Sequence, residues 1–208
     1  MRRLALVCFF GVFALASASA QEYSKFTFDF FGGYTATVGS TANYANWGWN
    51  AGGGAGVNFS QRFGAMVNLG YDSLGLNTGT VSALGVPGGQ VNVFHATLDP
   101  VVHLFRPGRT DFYITGGGGE FHTLRQFSQA TAGLTSANIP ALGFFGAATG
   151  PVAVPASYIV NKPGFDVGAG VAIGAIGHGK IFAEARWDHV FLSQGRLDFI
   201  PVSFGYRW

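Results

Sequence analysis

The last seven residues of the chain, VSFGYRW at positions 202–208, carry an apolar side chain at every second position and end on an aromatic ring. Successive side chains of a β-strand point to opposite faces, so this segment has one apolar face and one polar or small face. The apolar face holds Val202, Phe204, Tyr206 and Trp208, and the other face holds Ser203, Gly205 and Arg207. Soluble domains usually end in a mobile polar tail. The pattern instead predicts a strand with lipid on one side and a narrow interior on the other.

Residues 1–20 have the three parts of a secretory signal peptide. Arg2 and Arg3 precede an apolar run at residues 4–16, and Ala18-Ser19-Ala20 supplies small residues before a cleavage point. The run is shorter than the ~20 residues of a spanning helix, so a retained anchor is the less favoured alternative. We expect residues 1–20 to be removed and residues 21–208 to form one domain. Since the only cysteine, Cys8, lies in the signal, the mature chain has no disulfide or thiol nucleophile.

The charge balance argues against nucleic acid as a partner. The whole chain has 12 Lys+Arg and 10 Asp+Glu, and Arg2 and Arg3 of the expected signal account for the excess. The mature chain is therefore neutral and lacks the basic surface of a nucleic-acid-binding protein.

Alternation with a period of two continues upstream and predicts eight strands. It is clearest at residues 49–59, 63–72, 165–174 and 181–188, and weaker at 26–30, 94–104, 112–118 and 197–208. Pro100 and Pro201 cannot donate to a ladder, and we expect a bulge near each. At residues 112–115 the alternation does not decide which side chains face inward. A lipid environment requires a closed barrel, because an open edge would leave backbone groups unpaired.

The connections alternate in length. Short links at 60–62, 105–110 and 176–180 separate longer ones near 35–48, 72–91, 119–163 and 189–197. Outer-membrane barrels have short periplasmic turns and longer external loops. An even number of strands would then place both termini on the periplasmic side.

Over its mature length the chain resembles the small eight-stranded outer-membrane barrels of the OmpA transmembrane domain and OmpX type. The resemblance implies an all-β, eight-stranded antiparallel up-and-down transmembrane β-barrel in a Gram-negative outer membrane, surrounded by outer-membrane lipids. The final strand, with Val202, Phe204, Tyr206 and Trp208, is similar to the C-terminal signal that the barrel-assembly machinery recognises. That machinery is therefore an expected partner. A secreted soluble β-sandwich is the competing fold.

The interior of an eight-stranded barrel is only wide enough for side chains or one small ligand. Inward charges should therefore pair with one another. The predicted lumen charge network contains Asp29, Glu184, Arg186, Asp188 and Arg207. We interpret this network as a structural plug, with a gated pore or proton path as the alternative.

Metal and cofactor sites receive little support from the sequence. His95, Asp99 and His103 share a strand face, but His95 and His103 lie eight residues apart and even neighbours four apart are separated by about 13 Å. One ion bound at ~2 Å cannot span that distance, so ligands from other strands would be needed. His122, His178 and His189 are expected to be solvated. The glycine runs have no following amphipathic helix, which a dinucleotide site requires. We expect no cofactor.

Enzyme activity is also not expected. Barrels that resemble lipid A deacylases carry His and Ser two residues apart on one face, and no His-x-Ser occurs in this chain. His95 and Thr97 have the spacing but the wrong facing, whereas His189 and Ser193 lack a clear orienting acid.

The segment at 119–163 is unusually apolar for an exposed loop. It can cover the barrel mouth, pack on a partner, extend its flanking strands, or form an extra hairpin that gives ten strands. The leading hypothesis is a structural, adhesive or surface-interaction protein that meets an unidentified extracellular partner through its loops. The alternatives are a narrow OmpW-like conduit for small or hydrophobic solutes and, after it, a lipid A-modifying enzyme.

Overall fold

The computed structural model describes residues 24–84, 87–105, 109–127, 131–134, 152–154, 157–175, 179–192 and 195–208. The expected signal peptide at 1–20 lies outside these residues. The strands are β1 Phe26–Thr37, β2 Ala45–Asn58, β3 Phe63–Leu76, β4 Gly89–Phe105, β5 Thr110–Phe127, β6 Thr131–Leu134, β7 Val152–Val154, β8 Ser157–Gly174, β9 Lys180–Phe191 and β10 Arg196–Arg207. A 3-10 turn spans Gly39–Asn43 and helix α1 spans Thr78–Leu84. Among the described residues no helix is long and apolar enough to cross a bilayer.

Eight strands close into one barrel, in the order β1-β2-β3-β4-β5-β8-β9-β10 and back to β1. Every neighbouring pair is antiparallel, and closure pairs Asp29 of β1 with Arg207 of β10. The backbone N–H and C=O of Trp208 bond Phe28 at 2.9 Å each and extend this seam beyond the assigned strand. The predicted all-β, eight-stranded up-and-down transmembrane barrel is confirmed.

The ten-strand alternative is wrong for the barrel itself. β5 and β8 continue into both ends of the segment 119–163 and pair as far as Gln126 and Ser157. Strands β6 and β7 form a separate two-stranded sheet. The segment therefore extends its two flanking strands, which is one of the four options. It also forms an additional hairpin, whose strands are not part of the barrel sheet.

The two ends of the barrel differ. We call one end of the barrel the turn end; it has the links 59–62, 106–109 and 175–179, the start of β1 and the end of β10. The opposite end, with the links 38–44, 77–88, 128–156 and 192–195, is the loop end. The loop-end links are shorter than expected from the sequence, and 192–195 is as short as a turn. At the loop end, most barrel strands continue several residues beyond the predicted limits, because their inward side chains pack in an apolar core there.

The outward face is a continuous apolar surface. Exposed side chains on the barrel strands include Phe26, Phe28, Phe30, Val67, Leu69, Phe94, Leu98, Leu104, Ile114, Val167, Ile173, Ile181 and Phe204. Aromatic residues border it, with Trp47, Trp49, Tyr71 and Trp187 toward the loop end and Phe59, Phe63, Phe112, Tyr206 and Trp208 toward the turn end. From Trp49 to Phe59, ten steps of ~3.3 Å tilted by about 40° span about 25 Å, the height of the apolar band of a transmembrane barrel.

Neither proline marks a bulge, which corrects the expectation from the sequence. On both sides of Pro100 the β4–β5 register is the same, and on both sides of Pro201 the β9–β10 register is the same. Alternation of facing continues through both, so each proline removes a ladder donor without an inserted residue. Irregular pairing occurs instead at Ala45/Gly48 and His103/Phe105. Tyr113 and Thr115 face inward, which decides the facing that the sequence leaves open.

Candidate functional site in the barrel lumen

The inward face is unusually rich in polar side chains. Buried polar and charged residues of the lumen include Asp29, Asn50, Asn68, Asp72, His95, Thr97, Asp99, His103, Asp111, Thr115, Asp166, Glu184, Asp188, Ser203 and Arg207. They reach the lumen because each occupies an inward position on its strand. Between them lie glycines that leave room for large side chains. A Cβ on Gly70, for example, would lie 2.0 Å from Nε2 of His95.

Arg207 and Asp29 join the first and last strands inside the barrel. Nη2 and Nε of Arg207 donate to Oδ2 of Asp29 at 2.9 and 3.0 Å. The guanidinium also lies 4.7 Å from the ring centres of both Tyr113 and Phe182. These rings belong to an apolar cluster with Met66, Val101 and Ala172. The closing seam is therefore both an ion pair and a packed layer across the lumen.

Arg186 is the centre of the second group. Its Nη1 donates to Asp99 Oδ2 at 2.6 Å and to Asp166 Oδ1 at 3.2 Å, and its Nε donates to Glu184. Asp99 also accepts hydrogen bonds from Asn68 and Thr97. One guanidinium thus joins carboxylates from β4, β8 and β9, so it connects three strands across the middle of the barrel.

A third group contains Asp72, His95 and Asp188. Oδ1 of Asp72 accepts a hydrogen bond from Thr35, whereas Oδ2 lies 3.5 Å from Nε2 of His95 without a hydrogen bond. Asp188 is fully buried, and neither of its carboxylate oxygens has a hydrogen-bond partner among the described residues. One ligand atom from each of the three side chains can be chosen so that all lie within 4.8 Å of one another.

Polar and apolar groups also fill both ends of the lumen. At the turn end, Asp111 accepts from Lys180 at 3.0 Å and lies 2.9 Å from Nδ1 of His103. At the loop end, inward side chains pack into an apolar core, which contains Ala45, Leu74, Leu76, Val91, Val93, Phe121, Phe127, Val190, Leu197 and Phe199. A small cavity remains between these layers, lined in part by Asp72, His95, Glu184, Arg186 and Ser203. It has space for water or an ion and none for an organic solute.

The structure places all five residues of the predicted charge network in the lumen, but in separate groups. Asp29 pairs with Arg207, and Glu184 pairs with Arg186. Arg207 stands opposite Lys180 in the register, whereas Glu184 stands opposite Ser203. Asp188 belongs with Asp72 and His95 rather than with the arginines. The predicted network did not include Asp72, Asp99 and Asp166, although each has inward parity on its strand.

Among the histidines, His189 differs from the sequence interpretation. His95, Asp99 and His103 each meet a different partner, namely Asp72, Arg186 and Asp111. His189 is not simply solvated, because its Nδ1 lies 2.6 Å from Oδ1 of Asp198 on the neighbouring strand β10. Asp198 is thus the orienting acid that the sequence did not reveal. Ser193 and His178 lie outside the described residues.

The C-terminal strand presents the predicted faces. Phe204 and Trp208 are exposed on the outside, Val202 and Tyr206 are half-buried on the same side, and Ser203 and Arg207 are buried inside. Trp208 packs on Phe28 and Phe30 of β1, with ring centres 6.1 and 6.0 Å apart. Recognition of this face by the assembly machinery remains a prediction.

Comparison with known proteins adds evidence on the fold. No family model and no curated protein matches the sequence. Among solved structures, Neisserial surface protein A aligns with a TM-score of 0.59 at 10% identity, over 88% of this chain and 96% of that chain. A major outer membrane protein from Thermus thermophilus aligns with a TM-score of 0.54 at 10% identity, over 89% of this chain and 99% of that chain.

The chain is a small eight-stranded β-barrel of the outer-membrane type. The closed strand order and the apolar belt identify this fold independently of the alignments. At 10% identity the similarity shows the path of the backbone and carries no argument about the side chains of the lumen. The function of this outer-membrane-type barrel must therefore be argued from its own residues.

Proposed function

We propose that the protein is an integral outer-membrane barrel with a closed lumen, that it is not an enzyme, and that it acts at the cell surface through its loop end. In this proposal the turn end faces the periplasm and the loop end faces outward. Outer-membrane lipids surround the apolar belt, the barrel-assembly machinery inserts the chain through β10, and an extracellular partner meets the loop end.

The filling of the lumen carries this proposal. Three layers follow one another along the barrel. They are the Asp29–Arg207 pair with its packed rings, Arg186 with its three carboxylates, and the loop-end apolar core. An open conduit would need a continuous water-filled path. Between these layers lies a small cavity beside Arg186, which has space for water or an ion. Removing water from charged groups is unfavourable unless they are paired, so the paired charges are a stable way to block a narrow barrel.

The extension of β5 and β8 supports a role for the loop end. On their outer side, toward the loop end, these strands carry the polar residues Glu120, His122 and Asn161 next to apolar ones such as Ile159. Such polar outer positions suit water rather than lipid. The extended strands, with β6 and β7, therefore give the loop end a surface outside the bilayer that is available to a partner.

A narrow solute conduit is the second candidate, and the cavity beside Arg186 is the observation in its favour. Lipid A modification has weaker support. The His189–Asp198 pair can orient an imidazole, but no described serine, threonine or cysteine forms a hydrogen bond with His189. A nucleophile activated by this histidine would need such a contact.

Conductance distinguishes a closed barrel from a conduit. We expect the purified mature protein, folded in detergent and inserted into planar lipid bilayers, to give no steady single-channel current of the kind that open pores give. A porin added to the same membrane serves as the positive control. Heat-modifiable gel migration verifies that the inserted protein is folded. Reproducible ohmic steps from the folded barrel would contradict the closed-lumen proposal and favour the conduit.

A further inference from the structure

We propose that Asp72, His95 and Asp188 bind one divalent transition-metal ion, with zinc as the best match, inside the barrel. The site goes beyond the proposed surface function and does not depend on it. It requires only the closed barrel, which brings together side chains that are far apart in the sequence.

The spacing of the ligand atoms fits a shared ion. Tetrahedral coordination with bonds of about 2.1 Å separates neighbouring ligand atoms by about 3.4 Å. Nε2 of His95 and Oδ2 of Asp72 are 3.5 Å apart and do not hydrogen bond to each other. Atoms from all three side chains lie within 4.8 Å of one another. The three ligand atoms are therefore close to the spacing that one shared ion requires.

The burial of these groups shows that something must satisfy them. Asp188 is 0% exposed, Asp72 is 1% exposed and His95 is 7% exposed. Both oxygens of Asp188, Oδ2 of Asp72 and Nδ1 of His95 lack hydrogen-bond partners within the described parts of the chain. Burying a carboxylate without a partner is strongly unfavourable, so a cation, water or a proton is required there.

The surrounding charge favours a cation. The guanidinium of Arg186 is already shared among three carboxylates, those of Asp99, Asp166 and Glu184. Asp72 and Asp188 add negative charge to this part of the lumen. A divalent ion beside them would offset both charges at once.

The donor set selects the class of ion. One imidazole and two carboxylates suit borderline metals such as zinc, whereas calcium and magnesium prefer oxygen donors alone. The imidazole is held in place, because His95 stacks on Phe121 with ring centres 5.2 Å apart and an interplanar angle of 9°. Gly70 leaves the space that the imidazole occupies. The cavity next to Asp72 and His95 can supply a water as the fourth ligand.

The ion would join opposite walls of the barrel. Asp72 and His95 lie on the adjacent strands β3 and β4, and Asp188 lies on β9, which is four strands away from β3 in either direction around the barrel. A ligand bond from each side would cross-link the lumen and stabilise the folded barrel.

The test uses the full mature chain, folded in detergent and treated with EDTA. We expect zinc titration to reveal one saturable site per chain, an excess of magnesium to leave it filled, and the urea midpoint of unfolding to rise with zinc. Cobalt bound at the same site should give the visible absorption bands of tetrahedral coordination. Asp188→Asn should weaken zinc binding at least about 100-fold, because it removes a metal ligand rather than an outer hydrogen bond.

His103→Gln is the matched control, because His103 also faces a lumen aspartate, Asp111, but lies at the turn end. It should leave zinc binding unchanged. Two results overturn the proposal: no saturable zinc binding by the folded wild-type barrel, or equal binding by the wild type and Asp188→Asn. The first would mean that protons or water satisfy the buried carboxylates. Since it is measured on the wild type, this result does not depend on the folding of any variant.

Discussion

Arg186 shows how a single residue can hold a polar lumen together. Its guanidinium is planar and presents several donors in fixed directions, so it can serve carboxylates on different strands. Here those carboxylates are Asp99, Asp166 and Glu184, and Asp99 is fully buried. If Arg186 were removed, these three carboxylates would remain buried but would lose their shared basic partner.

Replacing Arg186 by methionine should therefore destabilise the barrel by about 3–5 kcal/mol, the cost of leaving buried charges without their partner. Arg186→Lys should recover part of this loss, because it keeps the charge but lacks the fork of donors. Urea unfolding in lipid vesicles, followed by tryptophan fluorescence, measures the change. Arg62 lies in an exposed turn. Arg62→Met is the control and should shift stability by about 0.5 kcal/mol or less. Equal shifts for Arg186→Met and Arg62→Met would disprove the central role.

Among the elements, β10 has three structural roles, which belong to its inward side chains, its outward side chains and its backbone. Arg207 closes the lumen, Phe204 and the adjoining Trp208 face lipid, and the backbone of the strand pairs with β1 and β9. Aromatic pairs add about 0.5–1.5 kcal/mol beyond their burial. Trp208 has two aromatic neighbours on β1, Phe28 and Phe30.

Trp208→Ala should consequently reduce both assembly and seam stability. In a Gram-negative host we expect a lower fraction of heat-modifiable, membrane-inserted protein, and in vitro a loss of about 1–2 kcal/mol in unfolding free energy, including the lost apolar burial. Trp47→Ala is the matched control, because Trp47 is 76% exposed and lies toward the opposite end. If Trp47→Ala impairs insertion as much as Trp208→Ala does, the terminal aromatic has no special role in assembly.

The strands themselves were largely predictable, and their limits were not. A period of two reports which side chains share a face, and this locates Asp29, Glu184 and Arg207 inside the barrel. It cannot tell an inward side chain at membrane depth from one above the bilayer. Leu74, for example, belongs to the loop-end core yet has the same parity as Asp72. The predicted strands therefore ended too early.

The partners within the site were predictable only where closure fixed them. Asp29 and Arg207 meet because the first and last strands must pair. Asp72, His95 and Asp188 meet through register and side-chain reach across the lumen, and Asp166 reaches Arg186 in the same way. These contacts depend on stagger around the whole barrel, which the spacing of residues along one strand does not contain.

At the scale of the whole molecule, the barrel combines an apolar exterior with a charged interior, the reverse of a soluble domain. Such an arrangement is stable only where lipid covers the outside. The asymmetry of the two ends then determines the expected orientation, because outer-membrane barrels keep their short turns on the periplasmic side and their longer loops outside.

Cysteine labelling tests this orientation, because the chain contains a single cysteine, Cys8, within the expected signal peptide. Ser82→Cys lies at an exposed position of α1 at the loop end, and Gln61→Cys lies in an exposed turn at the opposite end. In intact Gram-negative cells, a membrane-impermeant maleimide should label Ser82→Cys and not Gln61→Cys. After the outer membrane is permeabilised, both should react, which shows that both thiols are accessible. Labelling of Gln61→Cys alone in intact cells would reverse the assigned topology, and equal labelling of both in the soluble fraction would contradict a transmembrane barrel.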